Sequence, residues 1–139
     1  MPKWYQALMA TDAPVVGCGC YIAIVNIAGG HMVGLTDVAL EAQIPNWSPD
    51  GQTLVFQSFG SIWSVKRDGT GLTRLTFDDA GGFSLNPSYS PDGTKIIFGR
   101  KSANGSRDLF TMNPDGSDVT QVTNTPGDER FPHWAPRIP

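Results

Sequence analysis

The chain has 139 residues, room for about one ordinary domain. Its sixteen glycines and eleven prolines make up about a fifth of the sequence, well above average usage, and run along its whole length. Charged residues are only 17 % and the net charge is −3, which excludes a basic nucleic-acid binder and a disordered charged tail, while no apolar run is long enough for a membrane-spanning helix.

In chain order, residues 1–11 show neither strand nor helix periodicity and are expected to be irregular; no continuous apolar stretch precedes Asp12, so no secretory signal is visible. A first unit follows over 12–40, with a strand at 14–17, a clearer one at 21–25, a Gly29-Gly30 turn and a last strand at 32–36. The register puts Ala7-Leu8-Met9-Ala10 where this unit's inner strand would lie, and those residues do not read as one. Cys18 and Cys20 sit too close together to staple distant segments. With His31 they would offer at most three ligands where zinc wants four, so small core residues are the expectation. Only 37–43 could make a helical turn.

The second unit, 41–81, opens on Pro45-Asn46-Trp47-Ser48-Pro49-Asp50-Gly51. Strands at 53–57 and 62–65, an Asp68-Gly69 turn and Leu72-Thr73-Arg74-Leu75-Thr76 come next. The third unit, 82–125, repeats the opening 42 residues later as Pro87-Ser88-Tyr89-Ser90-Pro91-Asp92-Gly93. It then has strands at 95–99 and 109–112 around an insertion at 100–108, an Asp115-Gly116 turn, and Val119-Thr120-Gln121-Val122-Thr123. A last copy of the opening, Phe131-Pro132-His133-Trp134-Ala135, is a lone inner strand that departs from the Asp-Gly pattern after Pro136.

Each unit therefore predicts four short antiparallel strands. Pro presets φ, Asp bonds its own backbone and Gly accepts positive φ, so Pro-Asp-Gly punctuates the first hairpin. A four-stranded unit repeating every 40–47 residues means a β-propeller blade, making the fold all-β with about three blades in a partial ring. The repeat resembles the WD40-like propeller repeat of the TolB family. That resemblance implies a six-bladed ring when complete, closed by a C-terminal strand that finishes the first blade, as 131–135 would. It also implies a periplasmic or extracellular setting in the Tol–Pal envelope system, with protein partners such as lipoproteins or envelope proteins, and no catalysis. Related propellers accompany prolyl-oligopeptidase-like and tricorn-like peptidases and a lyase, so enzyme portions with catalysis elsewhere stay open.

Three blades leave two open flanks, an aggregation hazard unless covered. Either the chain is part of a longer propeller, or two copies complete a six-bladed ring. No catalytic motif, cofactor fingerprint or metal-ligand spacing is present, and turn formation accounts for Asp50, Asp68, Asp92 and Asp115. Propeller function usually sits on loops at one end. There the expected partner-binding residues are the acidic Asp78, Asp79, Asp128 and Glu129, with Arg130, the basic Arg100, Lys101 and Arg107, and His133 on the last inner strand. They would receive a protein segment, or a small ligand or cation at the channel mouth; solvated loops are the plainer alternative.

Overall fold

The structure is a computed structural model that describes residues 5–11, 18–78, 82–101 and 105–135. Its described residues form three antiparallel sheets. The first contains β1 (Tyr5–Thr11), β2 (Cys20–Asn26) and β3 (Met32–Gly34), in that order. The second contains β4 (Gln43–Trp47), β5 (Thr53–Ser58), β6 (Ser61–Lys66) and β7 (Thr73–Arg74), and the third β8 (Ser84–Tyr89), β9 (Ile96–Lys101), β10 (Arg107–Met112) and β11 (Thr120–Gln121). Each is a meander in chain order, as a propeller blade requires. The helical turn expected within 37–43 is a 3-10 turn over Val38–Leu40, capped by the Asp37 carboxylate, which accepts from the Ala39 N–H at 2.8 Å. No helix among the described residues is long and apolar enough to cross a membrane.

One segment corrects the sequence expectation. Residues 5–11, read as irregular, form β1, which pairs with β2 along its whole length, from Tyr5 opposite Asn26 to Thr11 opposite Cys20. Ala7, Leu8, Met9 and Ala10 have little intrinsic strand preference; cross-strand pairing with the β-branched β2 imposes the conformation. The strand sits in the second position of its blade, beside β2, and not in the inner position that the register suggested. The strand expected at 14–17 lies outside the described residues.

The repeated motifs are self-contained fasteners. In Ser48-Pro49-Asp50-Gly51, the Ser48 hydroxyl donates to Asp50 Oδ1 at 2.6 Å and accepts from the Thr53 N–H at 3.0 Å, while Asp50 Oδ1 also accepts from the Gln52 N–H at 3.0 Å. Ser90 and Asp92 repeat the arrangement with the N–H groups of Lys95 and Thr94, at 2.9 and 3.0 Å. The threonine at the end of each unit's last predicted strand has a longer reach. Thr36, Thr76 and Thr123 accept through Oγ1 from the N–H groups of Ile22, Ile62 and Leu109, at 2.8, 2.9 and 2.9 Å. Each blade's outermost segment is thereby tied to its third strand where the ladder itself has ended.

The inner strands share a kink. Ile44, Asn86 and Phe131, each just before a proline, have φ of 54°, 56° and 53°. Proline cannot donate to the ladder, and the pairing of β4 with β5 and of β8 with β9 slips at this point as a β-bulge. Phe131 repeats this positive φ before Pro132, which is buried, and the Trp134 indole N–H donates to the Ser88 carbonyl at 3.1 Å. Among the described residues, 131–135 form no ladder pairing and are not assigned as a strand.

Apolar side chains fill two layers between sheets. Ile22 and Ile24 of the first sheet meet Leu54, Phe56 and Val65 of the second, with Leu35, Trp47 and Trp63 packed around them. Val55, Ile62 and Leu75 of the second meet Tyr89, Ile96, Phe98 and Met112 of the third, with Phe110 alongside. Burying each large side chain contributes about 1.5–3 kcal/mol, so the aromatic repeat positions hold the blades together.

Candidate functional site at the loop end

The strand order gathers two sets of loops at one end of the sheets. One set joins each outermost strand to the next inner strand; the other joins second to third strands. They meet directly: the Ser84 N–H donates to the Gly60 carbonyl at 2.7 Å, and the Asn86 N–H to Gln57 Oε1 at 2.9 Å. All the charged residues singled out from the sequence, apart from Asp79, which lies outside the described residues, stand at this end.

Their arrangement differs from the expected acidic zone beside a separate basic loop. Asp78 is an ion-pair partner of Arg100, its side chain only 3 % exposed, and it also accepts from the Ser84 hydroxyl at 2.6 Å. Arg130 pairs with Asp128 at 2.9 Å, and Asp128 also accepts the Arg107 N–H at 2.9 Å. These bonds, the Arg130 side chain first, hold the Asp128 carboxyl below its ordinary range. Glu129 accepts from the hydroxyls of Thr123 and Thr125, the latter at 2.8 Å. The Arg107 guanidinium lies over the Phe83 ring, 5.2 Å from its centre, and that of Arg100 lies 5.8 Å from the Phe110 ring centre. Asp78, removed from water, requires such a partner, and the bonds of Asp128 and Glu129 likewise link neighbouring loop segments. Lys101, Arg130 and His133 remain exposed, His133 standing where the other inner strands carry Asn46 and Ser88.

The same end presents apolar residues that sequence reasoning passed over. Phe59 at the tip of the β5–β6 turn is 74 % exposed, and Phe77, Phe131 and Ile44 are exposed as well. The Phe77 ring is covered on one face by the Arg74 guanidinium, 4.9 Å from its centre. An aromatic in a two-residue hairpin turn was the available signal at Phe59, since turn tips normally carry small or polar residues. Asp108 was also missed. Placed in a loop by the sequence, it is a fully buried residue of β10 whose carboxylate accepts from the Thr125 N–H at 3.0 Å and from the Gln121 amide at 3.3 Å.

Cys18 and Cys20 correct another expectation: they are joined as a disulfide, not separate thiols in the core. Glu41 holds the adjoining backbone, accepting from the Cys18 and Gly19 N–H groups at 2.9 and 3.3 Å. At the opposite end, the turn carboxylates of Asp50, Asp68, Asp92 and Asp115 each accept from nearby hydroxyls and N–H groups, which pull their titration down, Asp92 to about 2. Those bonds account for the carboxylates' place in the turns. A groove of about 630 Å³, lined by His31, Lys66, Arg67 and Asp68 among others, lies on that side, away from the loop end.

No family model matches the chain. An uncharacterized protein of Agrobacterium fabrum is 36 % identical over 95 residues, covering 65 % of this chain and 31 % of that protein. The Tol-Pal system protein TolB of Geobacter sulfurreducens is 36 % identical over 76 residues, 55 % of this chain and 17 % of its own length. The chain thus spans about a third or less of these curated relatives. Among solved structures, a protein of Agrobacterium tumefaciens described as TolB superposes with a TM-score of 0.70 at 23 % identity, over 87 % of this chain and 49 % of that one. TolB from Acinetobacter baumannii superposes at 0.67 with 22 % identity, over 80 % and 28 %. An oligogalacturonate lyase in complex with manganese shares the fold at 0.65 and 19 % identity, over 80 % and 32 %. In sequence and fold, the chain is a TolB-like β-propeller segment.

Proposed function

We propose that the chain is a non-catalytic protein-interaction module that docks a protein segment on its loop end, in a setting like that of the Tol–Pal system and the periplasm. The observation that carries this reading is the set of exposed apolar residues on that end, Ile44, Phe59, Phe77 and Phe131, beside the charges of Lys101, Asp128 and Arg130 and the exposed His133. Exposed aromatics rimmed by charge are the composition of a protein-binding patch. Asp78, Arg100, Arg107 and Glu129 contribute by holding the loops, and Asp79 belongs to the same loop in sequence. In the alternative, where the segment accompanies a peptidase or lyase, catalysis resides in other residues and this end faces the catalytic domain.

The test is capture of envelope proteins by the immobilised chain and by a Phe59→Ser, Phe77→Ser double variant, with Lys66→Glu at the opposite end as control. The proposal expects the same proteins to be recovered by wild type and Lys66→Glu and lost with the double variant. Equal recovery by all three removes the loop end as the docking surface.

A further inference from the structure

The Cys18–Cys20 disulfide closes too little chain to hold the fold. It joins residues two apart, and a cross-link constrains the unfolded chain by an amount that grows with the loop it closes. Other bonds secure the surroundings. β1 pairs with β2 as far as Cys20, the Ala42 N–H donates to the Cys20 carbonyl at 3.0 Å, and Glu41 holds the Cys18 and Gly19 N–H groups. The disulfide can therefore open without the blade coming apart.

The two sulfurs stand in different settings. Cys18 lies at the surface, whereas Cys20 is 2 % exposed, so an incoming group reaches Cys18 first. The Gln43 side-chain amide donates to both, from 3.4 Å to Cys18 Sγ and 3.9 Å to Cys20 Sγ. A relay with one possible polarity fixes that orientation. The Asn86 backbone N–H can only donate, and Gln57 accepts it through Oε1 at 2.9 Å. Gln57 then offers Nε2 to Gln43 Oε1 at 3.5 Å, which leaves the Gln43 nitrogen for the sulfurs. An N–H donor beside a sulfur stabilises the thiolate that forms when the disulfide opens. A cleft of about 250 Å³, lined by Glu41, Gln43, Gln57, Ser58, Phe59 and Gly60, lies beside the same amide and gives room for a small molecule. A Glu41 carboxylate oxygen lies within 4.8 Å of both sulfurs, so a neutral thiol enters more readily than an anionic one.

We propose that Cys18–Cys20 is an exchange site for low-mass thiols, which form a mixed disulfide on Cys18. The incoming thiol gives its proton to solvent and its sulfur attacks Cys18 Sγ. The Cys18–Cys20 bond breaks, and its electron pair leaves on Cys20 Sγ beside the Gln43 amide, where it takes a proton from solvent. A second thiol attacks the sulfur of the first, releases the pair as their own disulfide and frees Cys18 as a thiol. Over both steps two thiols lose two electrons and the chain's disulfide gains them.

The test uses 2-mercaptoethanol, a neutral thiol, with acid quenching, alkylation and mass spectrometry. Millimolar thiol should open the wild-type disulfide and leave the adduct on Cys18. With 2-hydroxyethyl disulfide, Cys20→Ser should be capped at Cys18 at least about tenfold faster than Cys18→Ser is at Cys20. Gln43→Met, of similar length but without the donor, should slow opening about three- to tenfold with an unchanged far-ultraviolet spectrum. Four results overturn the proposal: free thiols in the air-oxidised wild type, a disulfide untouched by the thiol, equal capping of the two cysteines, or a folded Gln43→Met that opens at the wild-type rate. The single-cysteine comparison decides the matter if Gln43→Met does not fold.

Discussion

Thr76→Val isolates the bond that the Leu-Thr marker exists to make. The Thr76 side chain, in a residue 3 % exposed, accepts through Oγ1 from the N–H of Ile62, itself fully buried, at 2.9 Å. Valine keeps the shape and replaces the acceptor with a methyl group, leaving a buried donor unpaired at a cost of about 1–3 kcal/mol. The added apolar group returns up to about 0.8 kcal/mol, so the net loss is about 1–2 kcal/mol. With a urea dependence of about 1–2 kcal/mol per molar for a chain this small, the unfolding midpoint should fall by about 1 M. Thr76→Ser separates bonding from packing: it keeps the oxygen, loses one methyl and should cost less than valine. Hydrogen exchange at the Ile62 amide provides the local readout, with protection lost in the valine variant and kept in the serine variant. A serine variant less stable than the valine variant would refute the reasoning, because packing and not the bond would then dominate.

Two further perturbations probe the turns. Gly69 and Gly116 occupy equivalent Asp-Gly turns at φ of 85° and 88°, but an added Cβ would stand 3.9 Å from the Leu35 carbonyl oxygen in the first and 2.7 Å from that of Leu75 in the second. Gly69→Ala should therefore lose only the left-handed preference, about 1 kcal/mol, and Gly116→Ala about 2 kcal/mol or more, because backbone of the neighbouring blade must retreat; equal urea midpoints would contradict this. Asp92, held at about 2 against an ordinary 3.8, binds its proton less readily folded than unfolded. Its contribution is present above about pH 4 and lost as pH falls through about 2, so acid unfolding followed by circular dichroism should be less steep in that window for Ser90→Ala, which removes the leading cause of the shift.

What could be read in advance was what closes locally. Ser-Pro-Asp-Gly makes its bonds within six residues, so its spacing alone located the first hairpin of the second and third blades. β1 was illegible because its conformation comes from pairing with β2, a separate segment of the chain, and Ala-Leu-Met-Ala carries no alternation of its own. At the loop end, the presence of these charged residues was legible, but their pairing with one another was not. A formal charge in the sequence is the same letter whether it faces solvent, as Lys101 does, or is buried against a guanidinium, as Asp78 is. The Phe59 tip shows the converse: an aromatic in a two-residue turn was visible, but its exposure is a property of the assembled end.

The way each hairpin completes its own turn bears on how the molecule comes into being. Among the described residues, ladder bonds run only within a meander, and the apolar layers lie between consecutive meanders. Folding can then begin in whichever blade acquires its turn first and spread to the next, with short chain closures and no need for the two ends to find each other early. Cooperativity is a nearest-neighbour quantity in such a row. A lesion in the first blade weakens the second directly and reaches the third only through it, and a stretch of about forty residues is the natural unit to duplicate or delete.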